Sequence, residues 1–154
     1  QLALMIGDEI VVGVSNAPVA GEMAWAMRGG GAWMDGKPIK VSGISNLSQA
    51  SISTGNLGSM ARSDRWSALG TIMSQANRTR GYGDYYHYHR LASGQLDAVI
   101  ESDVNILDIA ALSLIVQEAG GVFTDLDGQA VSLDTRSVLA ATPGLHTLLS
   151  GELS

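Results

Sequence analysis

The sequence has no cysteine, no long apolar run and few basic residues. None of its 154 residues is cysteine, which excludes disulfides and thiolate-bound zinc sites. No run of about eighteen apolar residues occurs, so no segment is expected to span a membrane. Basic residues are scarce, with 9 Lys and Arg against 15 Asp and Glu and a net charge of −6. They form no stripe, so a nucleic-acid-binding surface is not expected.

The composition that remains is that of a folded domain. Hydrophobic residues make up 45% and charged residues 16% of the chain, which argues against disorder. A chain of this length is one domain, or most of one, and can bury a sizeable core. No signal-peptide pattern occurs at its start, and we expect a cytoplasmic location without membrane contact.

The predicted elements change character near residue 43. Residues 1–41 are patterned as a β-meander with a hairpin turn at Asp35 and Gly36, and a polar link follows at 42–48. Beyond it strands alternate with helices, which predicts a layered α/β domain. Helix 106–119 is apolar nearly all round, as buried helices are. The predicted strands are 2–6, 9–15, 22–27, 30–33, 38–41, 50–54, 78–82, 96–101, 121–125 and 137–142, and the predicted helices are 62–77, 85–93, 106–119 and a short one from Pro143.

Two carboxylates are predicted to meet at one edge of the sheet. Glu101 ends the strand 96–101, and Asp108 follows seven positions later in the first turn of the next helix. Ligands of open α/β sheets bind beyond the carboxyl ends of strands, and a helix N-terminus keeps an acid ionised. An acid three positions after a capping Asn105 also stabilises a helix without any catalytic role. Both a catalytic and a purely structural role are therefore open for Asp108.

Arg80 and Asp84 bracket a Gly-Tyr-Gly turn at the same predicted edge. As functional residues they would form a polar wall beside the ligand. If they are structural, Asp84 would be a helix N-cap and Arg80 a structural arginine. The pattern leaves both interpretations open.

Other residues that could carry chemistry are better explained structurally. His87 and His89 are two positions apart and lie on different faces of a helix, so they cannot clip a metal together, and we expect them to be partly exposed. The glycine run at 29–31 lacks the Lys and the helix of a phosphate-binding loop and is interpreted as a tight strand connection. Asp125 and Asp127 are explained by turn chemistry.

These motifs, in this order, resemble the inositol monophosphatase family of metal-dependent phosphomonoesterases. The resemblance rests on Glu101, on Asp108, on the Ala-Ala pair that follows and on the Glu-Ala-Gly-Gly that closes the helix. Three segments look most like the histidinol-phosphate phosphatase branch: Arg-Gly-Tyr-Gly-Asp-Tyr at 80–85, Ser-Asn-Ala-Pro at 15–18, and Trp-Ala-Met-Arg-Gly-Gly-Gly-Ala at 25–32. The resemblance extends over nearly the whole chain.

The resemblance implies a Mg²⁺-dependent phosphatase, expected as a homodimer, that acts on a small phosphorylated alcohol. Histidinol phosphate, hydrolysed to histidinol, is the substrate that the branch indicates. Asp108 would be a metal ligand and a catalytic residue. The residues that would bind the alcohol part of the substrate are Arg80, Gly83, Asp84, Tyr85 and Glu101.

The chain departs from the family pattern in two respects. Leu107 stands where the family usually has Trp, and the Glu-Glu pair and the Asp-Pro-Ile/Leu-Asp-Gly-Thr segment that supply most metal ligands are absent. The chain thus resembles the C-terminal portion of a phosphatase. Residues 1–43 would be terminal strands of an incomplete N-terminal α+β domain, and residues 44–154 a C-terminal α/β domain.

We expect the isolated chain to show no phosphatase activity and no tight Mg²⁺ site, because one or two carboxylates do not provide octahedral coordination. Its opening strands, 2–6 and 10–14, should lack sheet neighbours and present an apolar edge. Two other functions fit the same residues. One is a phosphatase of a polyol such as inositol 1-phosphate, and the other is a non-catalytic α/β binding domain of this fold. A nucleotide-binding module is disfavoured, because no phosphate-loop pattern follows any strand.

Overall fold

A computed structural model describes all residues, 1–154, and contains two five-stranded sheets. The first sheet is an antiparallel meander in which the strands follow chain order. Its strands are β1 (Leu2–Ile6), β2 (Glu9–Ala17), β3 (Glu22–Met27), β4 (Ala32–Met34) and β5 (Lys37–Ile39). The predicted meander is confirmed, with its hairpin turn at Asp35 and Gly36.

The second sheet has the order β7-β6-β8-β10-β9. Strands β7, β6 and β8 are parallel, whereas β10 is antiparallel to both of its neighbours. Its strands are β6 (Ser51–Gly55), β7 (Arg78–Arg80), β8 (Ala98–Ser102), β9 (Val122–Thr124) and β10 (Ser137–Ala141). The helices are α1 (Leu57–Met60), α2 (Trp66–Gln75), α3 (Asp84–Ala92), α4 (Ile106–Glu118) and α5 (Pro143–Leu153), and a 3₁₀ turn spans Leu47–Gln49.

The elements stack in four layers. Helices α3 and α4 lie between the two sheets, and one hydrophobic core joins them to the inner faces of both. The other face of the second sheet packs on α1, α2 and α5 in a second core. Alternate residues of β8 serve the two cores, since Val99 belongs to the first and Ile100 to the second. The layered α/β architecture is thus confirmed, and α4 is buried from residue 109 to residue 116 as its composition predicts.

Helix α4 meets the first sheet at a very close approach. A Cβ at Gly13 of β2 would lie 2.5 Å from the carbonyl oxygen of Ala111 in α4. Glu118, the last residue of α4, accepts hydrogen bonds from the backbone N–H groups of Gly29 and Gly31 at 2.9 and 3.0 Å. The glycine run is therefore a strand connection, as predicted, whose amides are occupied by a carboxylate of the chain itself.

One predicted helix is too long. The sequence predicts a helix over 62–77, but α2 spans only Trp66–Gln75, and the short α1 that precedes it was not predicted. Between them the Ser63 hydroxyl donates to the carbonyl oxygen of Met60 at 2.7 Å. Such local side-chain bonds compete with helical pairing and favour a turn.

The two histidines of α3 are fully buried, so their predicted partial exposure is wrong. The spacing does place them on different faces of α3, but this helix is covered on both faces. His87 points toward the second sheet, where its Nδ1 is 3.3 Å from Ser53 Oγ. His89 points toward the first sheet, where its Nε2 is 2.6 Å from Ser15 Oγ and its Nδ1 is 2.8 Å from Glu22 Oε1.

The Glu22 carboxylate ties α3 to the first sheet. Burial would raise its pKa, but hydrogen bonds from Arg90 and His89 outweigh that effect and leave the pKa below its ordinary value. Burial lowers the pKa of His89, and Glu22 opposes this only in part. Both shifts fit a neutral His89 that donates from Nδ1 to an ionised Glu22 and accepts from Ser15 at Nε2.

The prediction that both opening strands lack sheet neighbours is only partly right. β2 pairs with β1 on one side and β3 on the other, so it has both sheet neighbours. β1 is an edge strand with all five residues exposed, including Leu2, Leu4 and Ile6. The predicted apolar edge therefore consists of β1 alone.

Candidate active site

The carboxyl ends of three parallel strands meet at one edge of the second sheet. Along this edge Gly55 of β6 lies opposite Glu101 of β8, and Ser53 lies opposite Arg80 of β7. A cavity of about 330 Å³ opens there. Its lining residues are Gln1, Gly55, Asn56, Tyr82, Gly83, Asp84, Tyr85, Tyr88, Glu101, Asp103, Val104, Asp108 and Ile109. This is the crevice in which open α/β sheets bind ligands.

Glu101 is the buried carboxylate of this cavity, with 7% of its surface exposed. Its Oε2 accepts a hydrogen bond from the Tyr88 hydroxyl at 2.7 Å. His87 Nε2 lies 3.2 Å from the same oxygen, close enough for an ion pair but not aligned as a hydrogen bond. Burial and the charge of Glu101 raise the pKa of Tyr88 well above its ordinary value, so the phenol keeps its proton and donates. A Cβ at Gly55 would overlap the Glu101 side chain, so this strand end requires glycine.

Asp108 is exposed in the first turn of α4 and forms a capping box with Asn105. Its Oδ2 accepts from the Asn105 side-chain amide at 2.5 Å and from the Asn105 backbone N–H at 3.4 Å. The structural role considered for Asp108 is therefore real. It occupies one carboxylate oxygen, and no group of the chain donates to the other, so a capping Asp108 can also bind a ligand in the cavity.

The start of α3 forms another wall. Gly83, Asp84 and Tyr85 line the cavity. The side chain of Asp84 makes no capping bond, so its proposed role as an N-cap is wrong; it is the first residue of α3 and has a left-handed φ of 51°. Arg80 lies on the same sheet edge, but it is exposed, donates to the carbonyl oxygen of Thr79 at 2.7 Å and is not a lining residue.

Eight of the thirteen lining residues were missed in the sequence, and Gly55, Asn56 and Tyr88 are the most informative of them. Gly55 and Asn56 follow β6 directly, so the same rule for strand ends that identified Glu101 could have found them. Asn56 has a φ of 51°, and its amide donates to the carbonyl oxygens of Ser102 and Asp103, which holds the β8–α4 turn in place. Tyr88 was assigned to the packed face of α3, and no sequence signal shows that its hydroxyl reaches Glu101.

The cavity is strongly acidic. Four of its lining residues carry carboxylates, and no Lys, Arg or His side chain lines it. The acids are Asp84, Glu101, Asp103 and Asp108. Such a wall attracts cations and hydrogen-bond donors, and it repels a bare phosphate group unless a cation lies between them.

The donors present fit one position of a Mg²⁺ site rather than a whole one. Mg²⁺ prefers carboxylate oxygens and water in octahedral geometry, and the free oxygen of Asp108 is such a ligand. No group of three or more His, Cys, Asp or Glu side chains in the chain is arranged to hold a metal ion. No three acids of the cavity are therefore placed to coordinate one ion together.

The fold is that of a layered α/β domain with an acidic cavity at the carboxyl edge of its parallel strands. Sequence comparison identifies the family, because the model of the inositol monophosphatase family matches residues 1–154. The chain belongs to the inositol monophosphatase family, which confirms the resemblance seen in the motifs.

Individual relatives carry two kinds of name. The chain is 33% identical to a histidinol-phosphatase of Streptomyces coelicolor, an alignment that covers 96% of the chain and 57% of the relative. It is 37% identical to an inositol monophosphatase of Dictyostelium discoideum, with 97% and 57% covered. It is 39% identical to a histidinol-phosphatase of Mycobacterium tuberculosis, with 84% and 52% covered. The chain therefore spans a little over half the length of these relatives.

Solved structures show the same fold. The inositol monophosphatase of Anabaena superposes with a TM-score of 0.88 at 27% identity, covering 98% of this chain and 61% of that one. The extragenic suppressor protein suhB of Bartonella henselae superposes with a TM-score of 0.85 at 28% identity, covering 95% and 57%. None of the helices in the chain is long and apolar enough to cross a membrane.

Proposed function

We propose that the complete gene product containing this chain is a metal-dependent phosphomonoesterase whose substrate is a small phosphate ester with an amine on its alcohol part. Histidinol phosphate, hydrolysed to histidinol, is the substrate of this kind that we propose. The observation that carries the proposal is the cavity with four carboxylates and no basic side chain, which favours a cationic group. The histidinol-phosphatases among the relatives support it.

Asp108 is the residue we propose as metal ligand and catalytic residue. The family resemblance implies Mg²⁺, and one oxygen of Asp108 has no donor within the chain. When bound, the ion supplies an activated water and neutralises charge between the phosphate and the carboxylates. Since the chain contains no group of three or more possible ligands, we propose that the other ligands come from sequence outside these 154 residues. The isolated chain should then be inactive.

The alcohol part of the substrate would lie between α3 and the end of β8. There Asp84 and Glu101 would bind the ammonium group through charge-assisted hydrogen bonds. Gly83 and the half-buried Tyr85 would shape the wall between them. Arg80, which lies beside the cavity, would have to swing its exposed side chain inward to contact the substrate.

A polyol phosphate is the second candidate substrate. The identity of 37% to the inositol monophosphatase of D. discoideum favours it, and a hydroxyl can donate to Glu101 as an ammonium can. The two candidate substrates differ in the charge of their alcohol part. Four carboxylates attract a cationic amine more strongly than an uncharged polyol ring. A third possibility, a non-catalytic domain of the same fold, predicts no phosphate release by the complete gene product with Mg²⁺ and any of these esters.

The catalytic assignment is tested by Asp108→Asn in the complete gene product. We expect Mg²⁺-dependent phosphate release to fall by orders of magnitude. The thermal midpoint should change little, because asparagine keeps the size and the capping oxygen of the residue. Asp134→Asn, which removes an exposed acid outside the cavity, is the matched control and should leave turnover unchanged. Normal turnover in Asp108→Asn would reduce Asp108 to a capping residue.

The substrate assignment is tested by Asp84→Asn, which removes the charge at a position where asparagine tolerates the left-handed φ. A charge-assisted contact contributes about 1.5–3 kcal/mol, so kcat/KM for histidinol phosphate should fall roughly ten- to a hundredfold. The values for p-nitrophenyl phosphate and inositol 1-phosphate should change much less. Equal losses on all three esters would mean that Asp84 holds the structure of the site and does not recognise the amine.

A further inference from the structure

The two oxygens of Glu101 have different surroundings. Oε2 receives the Tyr88 hydroxyl at 2.7 Å and lies 3.2 Å from His87 Nε2. No group of the chain donates to Oε1, which lies over Gly55 on the cavity side, where even a Cβ would overlap it. The carboxylate is therefore held by one oxygen, and the other is left for a ligand.

Tyr88 is itself rigidly held. It is 2% exposed, and its ring contacts Phe123 with a centroid distance of 5.5 Å and His87 with a centroid distance of 4.3 Å. Its hydroxyl therefore stays at a fixed point behind Glu101. A buried hydroxyl needs a hydrogen-bond partner, and Glu101 is the one partner that the Tyr88 hydroxyl has.

The surroundings of His87 add to this arrangement. Ser53 Oγ accepts from the backbone N–H of Tyr82 at 3.2 Å and lies 3.3 Å from His87 Nδ1. If the Ser53 hydroxyl donates its own proton to Nδ1, the imidazole carries its proton on Nε2, next to Glu101 Oε2. The opposite tautomer would set a nitrogen lone pair against the carboxylate, which is unfavourable. In that tautomer a second N–H lies 3.2 Å from the oxygen that Tyr88 holds, without the alignment of a hydrogen bond.

We infer that Tyr88 is a positioning residue that fixes Glu101 with Oε1 toward the amine of the substrate, and so sets the preference for amine-bearing esters. The inference rests on the proposed function. A free glutamate side chain has three rotatable bonds and would have to be ordered when substrate binds, whereas a carboxylate held by Tyr88 is ordered beforehand. The effect should appear in substrates that donate a hydrogen bond to Glu101 and should be absent from esters whose alcohol part has no donor, such as p-nitrophenyl phosphate.

Tyr88→Phe in the complete gene product tests the inference, because phenylalanine keeps the ring packing and removes only the hydroxyl. We expect kcat/KM for histidinol phosphate to fall about tenfold. The value for p-nitrophenyl phosphate should stay within about twofold. Tyr86→Phe is the matched control, since Tyr86 lies on the same helix, is exposed, makes no hydroxyl hydrogen bond and does not line the cavity. It should change neither value.

A double-mutant cycle separates positioning from a general structural role. In a Glu101→Ala background there is no carboxylate to hold, so adding Tyr88→Phe should change kcat/KM for histidinol phosphate by about twofold at most. Glu101→Met, which keeps the length of the side chain but has no oxygen to accept the Tyr88 hydroxyl, replaces the alanine variant if that variant does not fold. Thermal unfolding of every variant reports its folding independently.

The outcomes distinguish this inference from the function on which it rests. A wild-type protein that does not prefer histidinol phosphate over the esters whose alcohol part is uncharged overturns the proposed substrate, and the inference with it. A wild-type protein that does prefer it, combined with equal Tyr88→Phe losses on both esters or with additive losses in the cycle, overturns the inference alone.

Discussion

Helices cover both faces of the second sheet but only one face of the first. In the second sheet, β8 and β10 send alternate residues into two cores, and nearly every side chain is buried. In the first sheet, the face toward α4 carries mostly small residues, alongside the larger Ile10, Met34 and Ile39. The small residues are Gly13, Ser15, Ala24, Ala26 and Ala32, all buried, and they lie opposite one another across the strands.

The outer face of the first sheet carries the larger side chains. Val14, Trp25 and Trp33 are cross-strand partners, and the two indole rings stack with centroids 5.7 Å apart. The size of the apolar side chains therefore does not indicate which face of this sheet is buried in the core. The close approach of α4 selects small residues for the inner face, because only they fit under a helix backbone in direct contact.

The largest expected effect concerns the same substitution in the two sheets. Leu139 of β10 is 1% exposed, and Leu4 of β1 is 52% exposed. Leu139→Ala should lower the free energy of unfolding by about 2–5 kcal/mol, because it removes buried methyl groups and leaves a cavity. Leu4→Ala should change it by less than about 0.5 kcal/mol. Urea unfolding of both variants is the measurement, and equal losses would contradict the difference in cover between the sheets.

A smaller effect is expected where the two regions touch. Gly13→Ala places a methyl group against the carbonyl oxygen of Ala111 and should destabilise the protein by about 1–3 kcal/mol. Gly70→Ala is the control, because Gly70 lies inside α2 with no atom near its missing Cβ. It should stabilise the protein by about 0.5–1 kcal/mol through helix propensity. If Gly13→Ala leaves the free energy of unfolding unchanged, α4 and the first sheet must separate easily.

The smallest effect is a pH dependence at the contact between α3 and the first sheet. The folded pKa of His89 is below its ordinary 6.5 because the residue is buried. Below pH 6.5 the unfolded chain therefore binds more protons than the folded chain, and stability falls as the pH decreases toward the folded pKa. His89→Gln should flatten this decrease, measured as the slope of the unfolding free energy between neutral pH and the pH range in which Glu22 titrates.

Several groups contribute charge around His89, namely Glu22, Arg90 and Asp35. His146 also has a pKa lowered by burial, so a double variant with His146→Gln should flatten the slope further. An unchanged slope in His89→Gln would show that His89 does not link stability to pH.

Part of the candidate site could be predicted from the sequence and part could not. Glu101 and Asp108 could be predicted because the end of a strand and the start of a helix are recognisable from a short stretch of sequence. Their position at one edge of the sheet follows from the parallel pairing of the strands. Gly83, Asp84 and Tyr85 line the cavity, but their role in substrate binding, which the resemblance implies, stays a prediction. The bond from Tyr88 to Glu101 could not be predicted, since it depends on how α3 lies across β8.

By itself the sequence determined the elements, the meander, the layered α/β class and the edge at which acids gather. These follow from hydrophobic period, turn residues and the handedness of parallel pairing, which act over short stretches of chain. Three features emerge only when the chain is packed: both histidines of α3 are buried, Arg80 stays outside the cavity, and one oxygen of Glu101 is left free. Those outcomes depend on which surfaces are brought together from distant parts of the chain, because burial and hydrogen-bond partners belong to the packed molecule and not to any local segment.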